Sequence, residues 1–80
     1  MKKPPHTPPS SRQVVVPRLP IELAPFIKFA GVTGSGGEAK QLIREGSVLL
    51  NGAVETQKGK KLSAGDTVSV AGQTLIVASV

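Results

Sequence analysis

At 80 residues the chain has room for one small domain and little room for a deep substrate cleft. Ten Lys and Arg against five Asp and Glu give a formal charge of +5 and a pI of about 10.1, a balance that points to an anionic partner such as nucleic acid or an acidic membrane surface. There is no Cys, so disulfides and thiolate chemistry are excluded.

The N-terminal stretch MKKPPHTPPS carries two lysines but no apolar run follows it, so it does not read as a secretory signal. Six of the seven prolines lie in residues 1–20, with Lys2, Lys3, Arg12 and Arg18. Proline fixes φ and removes a donor, which disfavours helix and central strand. Residues 1–18 are therefore expected to form a basic, Pro-rich flexible tail and residues 19–80 the folded domain. Val14–Val16 is the exception, a short extended segment that could pack on the domain edge. Beyond residue 20 the balance is nearly neutral, six positive side chains against five negative, so the positives matter only where they cluster.

Leu23, Phe26, Ile27 and Ala30 fall at i, i+3, i+4 and i+7, one face of a helix. Pro25 fits only in its first turn, and Gly31 is a natural stop. Then comes GVTGSGGEAK, with four glycines in seven positions. Gly31 and Gly36 satisfy half of a P-loop, and Gly34, Gly36 and Ala39 satisfy a dinucleotide fingerprint. Both patterns need a preceding strand, and here a helix precedes. A P-loop also needs Lys and then Ser or Thr after the second glycine, where Gly37 and Glu38 stand. The glycines instead predict a tight turn into a second helix over about 36–45. Ser35 and Glu38 form its capping box, Ala39, Leu42 and Ile43 its buried stripe, and Gly46 its end.

The remainder reads as a small sheet. SVLLNGAVET predicts a hairpin around Asn51-Gly52. QKGKKLSAGD is a basic loop followed by a turn at Ala64-Gly65-Asp66. TVSVAGQTLIVASV predicts a second hairpin around Ala71-Gly72, with Val68, Val70, Leu75 and Val77 inward. The longest apolar runs, such as Leu75–Ala78, are too short to span a bilayer. The expected class is α+β, with two short N-terminal helices packed on a small twisted sheet of four to five short strands.

PFIKFAGVTGSGGEAKQLIREGSVLLNGAVETQKGKKLSAGD resembles an S4 RNA-binding domain, a module of a small-subunit ribosomal protein, some pseudouridine synthases, tyrosyl-tRNA synthetases and small stand-alone proteins. The resemblance covers roughly residues 21–70. It rests on an ordered set: Glu38-Ala39-Lys40 to Leu42-Ile43, Gly46-x-Val48, Asn51-Gly52, Lys61-Leu62 and Gly65-Asp66. The Gly-Gly-Glu-Ala-Lys and Lys-Gly-Lys-Lys-Leu stretches are most similar to the short stand-alone bacterial S4-like proteins. Many S4 domains carry Ser-Arg at the start of the second helix, where Gly36-Gly37 stand here.

The resemblance implies an S4-like (αL) fold and RNA binding by the two helices and the adjoining loop. Charge clustering points to the same surface. Lys40 and Arg44 are i,i+4 on one helix face, Lys58, Lys60 and Lys61 crowd one loop around Gly59, and Lys28 lies on the first helix. Ser35, Gly37 and Gln41 complete the candidate set, the first two at a helix N-terminus whose free N–H groups can take a phosphate. Phe26 and Phe29 are the only aromatics and both are expected in the core, with one exposed face of Phe29 left open. Base stacking is accordingly not expected, and recognition should rest on phosphate and 2′-OH contacts to structured RNA, such as ribosomal RNA or a ribosomal particle.

Catalysis has no candidate residues. His6 is the single histidine, and Ser10, Ser11 and Ser63 have no base beside them. Glu38, Glu45, Glu55 and Asp66 read as capping, surface and turn residues. No cofactor, metal or membrane partner is expected, and a cytoplasmic monomer is. Two other readings remain: a protein-interaction adaptor that keeps the fold, and an anionic-membrane or nonspecific polyanion binder acting through the tail. Removing residues 1–18 should leave the first reading nearly intact and abolish the last.

Overall fold

The computed structural model describes residues 11–80, and the part of the expected tail before residue 11, His6 included, lies outside the described residues. The elements run β1 (Ser11–Val16), β2 (Ile21–Glu22), α1 (Leu23–Phe29), α2 (Gly36–Arg44), β3 (Val48–Leu50), β4 (Ala53–Val54), β5 (Lys61–Leu62), β6 (Thr67–Val70) and β7 (Gln73–Ser79). Five strands form one mixed sheet in the order β1-β7-β6-β3-β4, and β2 with β5 forms a separate two-stranded ribbon. The class is α+β, as expected, but the helices are not N-terminal. Strand β1 precedes them and pairs in parallel with β7 from Ser11↔Thr74 to Val16↔Ser79.

This overturns a flexible tail reaching to residue 18. Val14 and Val16 are buried core residues, and only the packed-segment exception for Val14–Val16 anticipated it. Arg12, counted with the tail, is a cross-brace. Its Nη2 donates to the carbonyl of Ala30 at 2.6 Å and to Oε1 of Gln73 at 3.3 Å. A cation is thereby fixed at the C-terminal end of α1, where the helix dipole favours it.

The helices start and stop where the sequence chemistry directs. Pro25 sits in the first turn of α1, and the two residues before it donate to the lysine loop: Leu23 N–H to the carbonyl of Lys60 at 2.9 Å, Ala24 N–H to that of Lys58 at 3.1 Å. Both helices end in the same motif. After α1, Gly31 at φ +82° donates to Lys28 and Val32 donates to Ile27. After α2, Gly46 at φ +82° donates to Ile43 and Ser47 to Leu42. Each glycine supplies the left-handed residue that lets its own N–H and the next one return to orphaned carbonyls.

The core lies between the helices and one face of the large sheet. Leu23, Phe26 and Ile27 of α1 and Ala39 and Ile43 of α2 pack with Val14, Val16, Val48, Val68, Val70, Leu75 and Val77. Leu62 of the ribbon joins them. Val68 pairs with Leu75 across β6 and β7, so the four inward positions predicted for this hairpin are all buried. Two expectations fail. Leu42 is only half-buried, and Phe29 is 53% exposed. At about 100° per residue Phe29 follows Phe26 by some 300°, so it falls near the rim of the buried arc of α1, beyond the reach of the sheet.

The expected hairpin at Asn51-Gly52 forms, with φ of 51° and 88° at the two residues, both left-handed as a two-residue turn requires. Asn51 does more than turn the chain. Its Nδ2 donates to Oδ1 of Asp66 at 3.2 Å, and its Oδ1 accepts from the N–H of Thr67 at 2.9 Å. Asp66 in turn accepts from Ser63 N–H through Oδ2 at 2.8 Å. One carboxylate thus joins the first hairpin to the turn that opens β6.

Candidate nucleic-acid interface

Helix α2 carries its charges on two separate flanks. Successive residues advance by about 100°, so with Ala39 and Ile43 facing the core, Lys40 and Arg44 share one flank and Glu38 and Glu45 the other. All four side chains are exposed. Among the described residues neither Lys40 nor Arg44 makes an ion pair. The basic pair therefore borders the core stripe on one side and does not stand opposite it.

The acidic flank is engaged in holding the helix. Ser35 Oγ accepts from Glu38 N–H at 3.2 Å, and Glu38 Oε1 accepts from Gly34 N–H at 2.8 Å. This is a capping box whose return bond falls one residue early. Gln41 Nε2 donates to Glu45 Oε2 at 3.2 Å, which draws Gln41 toward the acidic side. A shallow groove lies on this flank, lined by Val32, Gly34, Glu38, Leu42 and Glu45. Its two carboxylates, Glu38 and Glu45, would repel an approaching phosphate.

The N-terminus of α2 is open. Ser35 satisfies the N–H of Glu38 and its carbonyl that of Ala39, but no described residue accepts from the N–H groups of Gly36 or Gly37. Packing does not require either glycine. A Cβ at Gly36 would meet nothing within 4 Å, and one at Gly37 would meet only Ser35 Oγ at 3.9 Å. Ser35 is thus primarily a cap, and Gly37 presents bare backbone to solvent at the positive end of a helix dipole.

The lysine loop is placed by its backbone. Because the carbonyls of Lys58 and Lys60 accept from the first two N–H groups of α1, the loop is moored at that helix start while both side chains remain exposed. Lys61 differs, since its Nζ lies 3.5 Å from Glu22 Oε2 across the β2–β5 ribbon. Both partners are well exposed, so this pair adds little stability. Lys28 lies on the exposed side of α1. The candidate cations thus divide into Lys40 and Arg44 on α2, Lys58, Lys60 and Lys61 in the loop moored at the start of α1, and Lys28 in the last turn of α1.

No described residue is both charged and buried, and no group of three potential metal ligands occurs among the described residues. Among the described residues no helix is long and apolar enough to cross a membrane. Sequence reasoning missed Arg12, set aside with the prolines around it, and placed Phe29 in the core while leaving one exposed face open, where the ring is 53% exposed.

Known proteins resemble this chain in sequence and fold. YbcJ of Escherichia coli (strain K12), whose name gives RNA binding as a provisional assignment, is 47% identical over 57 residues, 71% of this chain and 81% of that protein. RlbA of Bacillus subtilis (strain 168), named a probable ribosome maturation protein, is 42% identical over 52 residues, 65% of this chain and 73% of its own length. The solution structure of E. coli YbcJ, described as revealing an αL motif involved in RNA binding, superposes with a TM-score of 0.62 at 37% identity. That superposition covers 98% of this chain and 96% of the other. The S4 domain profile matches residues 15–78, which takes in β1 from Val15 and nearly all of β7. With the capped helix pair, the moored basic loop and the Asn51–Asp66 linkage inside that span, the chain belongs to the S4 domain family.

Proposed function

We propose that this protein is a non-catalytic RNA-binding module that recognises structured RNA, with ribosomal RNA or a ribosomal particle as the favoured target class. The observation that carries the reading is the segregation of charge. Lys40 and Arg44 occupy one flank of α2 without ion-pair partners among the described residues, and Lys58 and Lys60 extend from a loop bonded to α1. The positives are thus mounted on rigid elements with fixed spacing, which suits a folded phosphate backbone better than a flexible polyanion. The RNA-binding and ribosome-maturation names of the relatives support the same reading. The αL arrangement then consists of α1, α2 and the loop before β5, acting in a cytoplasmic monomer.

The contacts are mainly to phosphate. If four or five of Lys28, Lys40, Arg44, Lys58, Lys60 and Lys61 engage, log affinity falls against log salt with a slope of roughly −3 to −4.5. The test titrates a folded RNA, a scrambled single strand of equal length and a matched duplex DNA at several salt concentrations. A preference for the folded RNA is expected, and Lys40→Ala with Arg44→Ala should weaken it without unfolding the domain. Equal binding of all three would reduce the interaction to polyanion attraction.

A second reading, a protein-interaction adaptor, draws on the outer face of the sheet. Val15, Ile76, Thr67, Ser69, Leu49 and Val54 lie there without a charge, and Val15 and Val54 are about half exposed. Failure of every RNA to bind at low salt would move this reading to first place.

A further inference from the structure

The solvent side of α1 is unlike an ordinary polar helix face. Leu23, Ala24, Phe26, Ile27 and Ala30 turn inward, which leaves Pro25, Lys28 and Phe29 outside. Pro25 and Phe29 are i,i+4 and therefore adjacent on that surface. Phe29 is 53% exposed and is the single exposed aromatic of a chain that has only two. Basic residues lie toward both ends of α1, which is roughly 10 Å long at 1.5 Å per residue. At the N-terminal end the carbonyls of Lys58 and Lys60 are bonded to Ala24 and Leu23. At the C-terminal end Lys28 precedes the ring in the chain, and the Arg12 guanidinium is fixed on the carbonyl of Ala30, the residue that follows it. Glu22, the residue before α1, is paired with Lys61.

We propose that Phe29 is a stacking platform for an unpaired base of the bound RNA, with Arg12 and Lys28 holding the phosphates that flank it. The inference rests on the RNA-binding reading and adds to it a feature of the ligand: a folded RNA with a base free of the stack next to the helix-bound phosphates. A flat ring with positive charge on either side matches what a single nucleotide presents, a π-face between two phosphates. Arg12 is suited to this because its two hydrogen bonds fix the guanidinium before RNA arrives, so little side-chain freedom is lost on contact. A protein partner would find one ring in a cationic frame and little further apolar area on this side. Stacking tolerates any base, so the contact selects for an unpaired position without reading its identity.

The test uses the full chain and two RNAs, a blunt hairpin and the same hairpin with a short unpaired extension carrying 2-aminopurine. The wild-type protein should bind the extended RNA more tightly and quench its fluorescence. Phe29→Ala should weaken binding of the extended RNA by about 5- to 150-fold, the range for loss of one base–aromatic stack, and leave the blunt hairpin unchanged. Phe29→Trp should retain affinity and quenching. Phe29→Leu keeps apolar bulk without the π-face and should behave as Phe29→Ala, which covers any disturbance of α1 by the smaller residue. Equal affinities of Phe29→Ala and wild type for the extended RNA, or an equal loss on both RNAs, would overturn the stacking role. The RNA-binding reading would still stand if Lys40→Ala with Arg44→Ala weakened both. A wild-type protein that binds neither RNA ends both proposals.

Discussion

The main-chain N–H of Leu23 donates to the carbonyl of Lys60 at 2.9 Å, so the first residue of α1 and the middle of the basic loop form one unit. The bond uses the backbone of Lys60 and leaves its ammonium to solvent. Position and charge are thereby separable in this loop.

Replacing Lys58 and Lys60 together with Ala should therefore leave the fold intact, with a stability change within about 0.5 kcal/mol as for ordinary surface substitutions. The salt slope of RNA binding should become shallower by roughly 1.4–1.8 if each lysine meets one phosphate. Urea unfolding and RNA titration at several salt concentrations check the two halves. An unchanged slope would place the loop outside the interface.

Gly37 gives the opposite separation. Space for a Cβ exists there, so Gly37→Ala should leave stability unchanged or raise it by up to about 1 kcal/mol through helix propensity. If the bare backbone is what meets a phosphate, the same methyl group should lower RNA affinity. A variant that is no less stable yet binds RNA more weakly is the expected result of paired thermal unfolding and binding measurements. Unchanged binding would show that nothing approaches this turn closely.

Truncation at the N-terminus should depend sharply on where it stops. Removing residues 1–10 leaves every described contact in place. Removing residues 1–18 deletes β1, with the buried Val14 and Val16 and the Arg12 brace. Burial of each valine is worth about 1.5–3 kcal/mol, a large share of the stability of a domain this small. Circular dichroism of the longer deletion should show a destabilised or unfolded chain, so a loss of RNA binding by it would not by itself report a tail contact.

Much of this was legible before the structure because it is local chemistry. Ser35 and Glu38 announced the start of α2, and Gly31 and Gly46 announced two helix ends that share one hydrogen-bond pattern. Alternation placed Val68, Val70, Leu75 and Val77 inward, as found. What was not legible depends on residues far apart in the chain. The prolines around Ser11–Val16 suggested a loose tail, and only the pairing with β7 makes that segment a strand. Asn51 reads as a turn residue and Asp66 as another, yet their bond spans 15 positions that no local pattern connects. The charge clusters were visible, while the moorings of Lys58 and Lys60 and the pairing of Lys61 were not. Phe29 misled because an aromatic in an apolar run invites a core assignment, whereas its angular position on so short a helix decides otherwise.

The parallel pairing of β1 with β7 bears on how the molecule is made. Ser11 lies beside Thr74, about sixty residues downstream, so β1 has no sheet partner until β7 has left the ribosome. Closing so long a loop is entropically slow compared with forming the helix pair or the two hairpins between them. During synthesis the capped helices and the Asn51-Gly52 turn can assemble first, while Val14 and Val16 wait uncovered. The last step is then a zipper: β7 folds back along β6, offers its other edge, and draws β1 in beside it. Until that moment the core lacks one wall, and the Arg12 guanidinium has no fixed place against the end of α1.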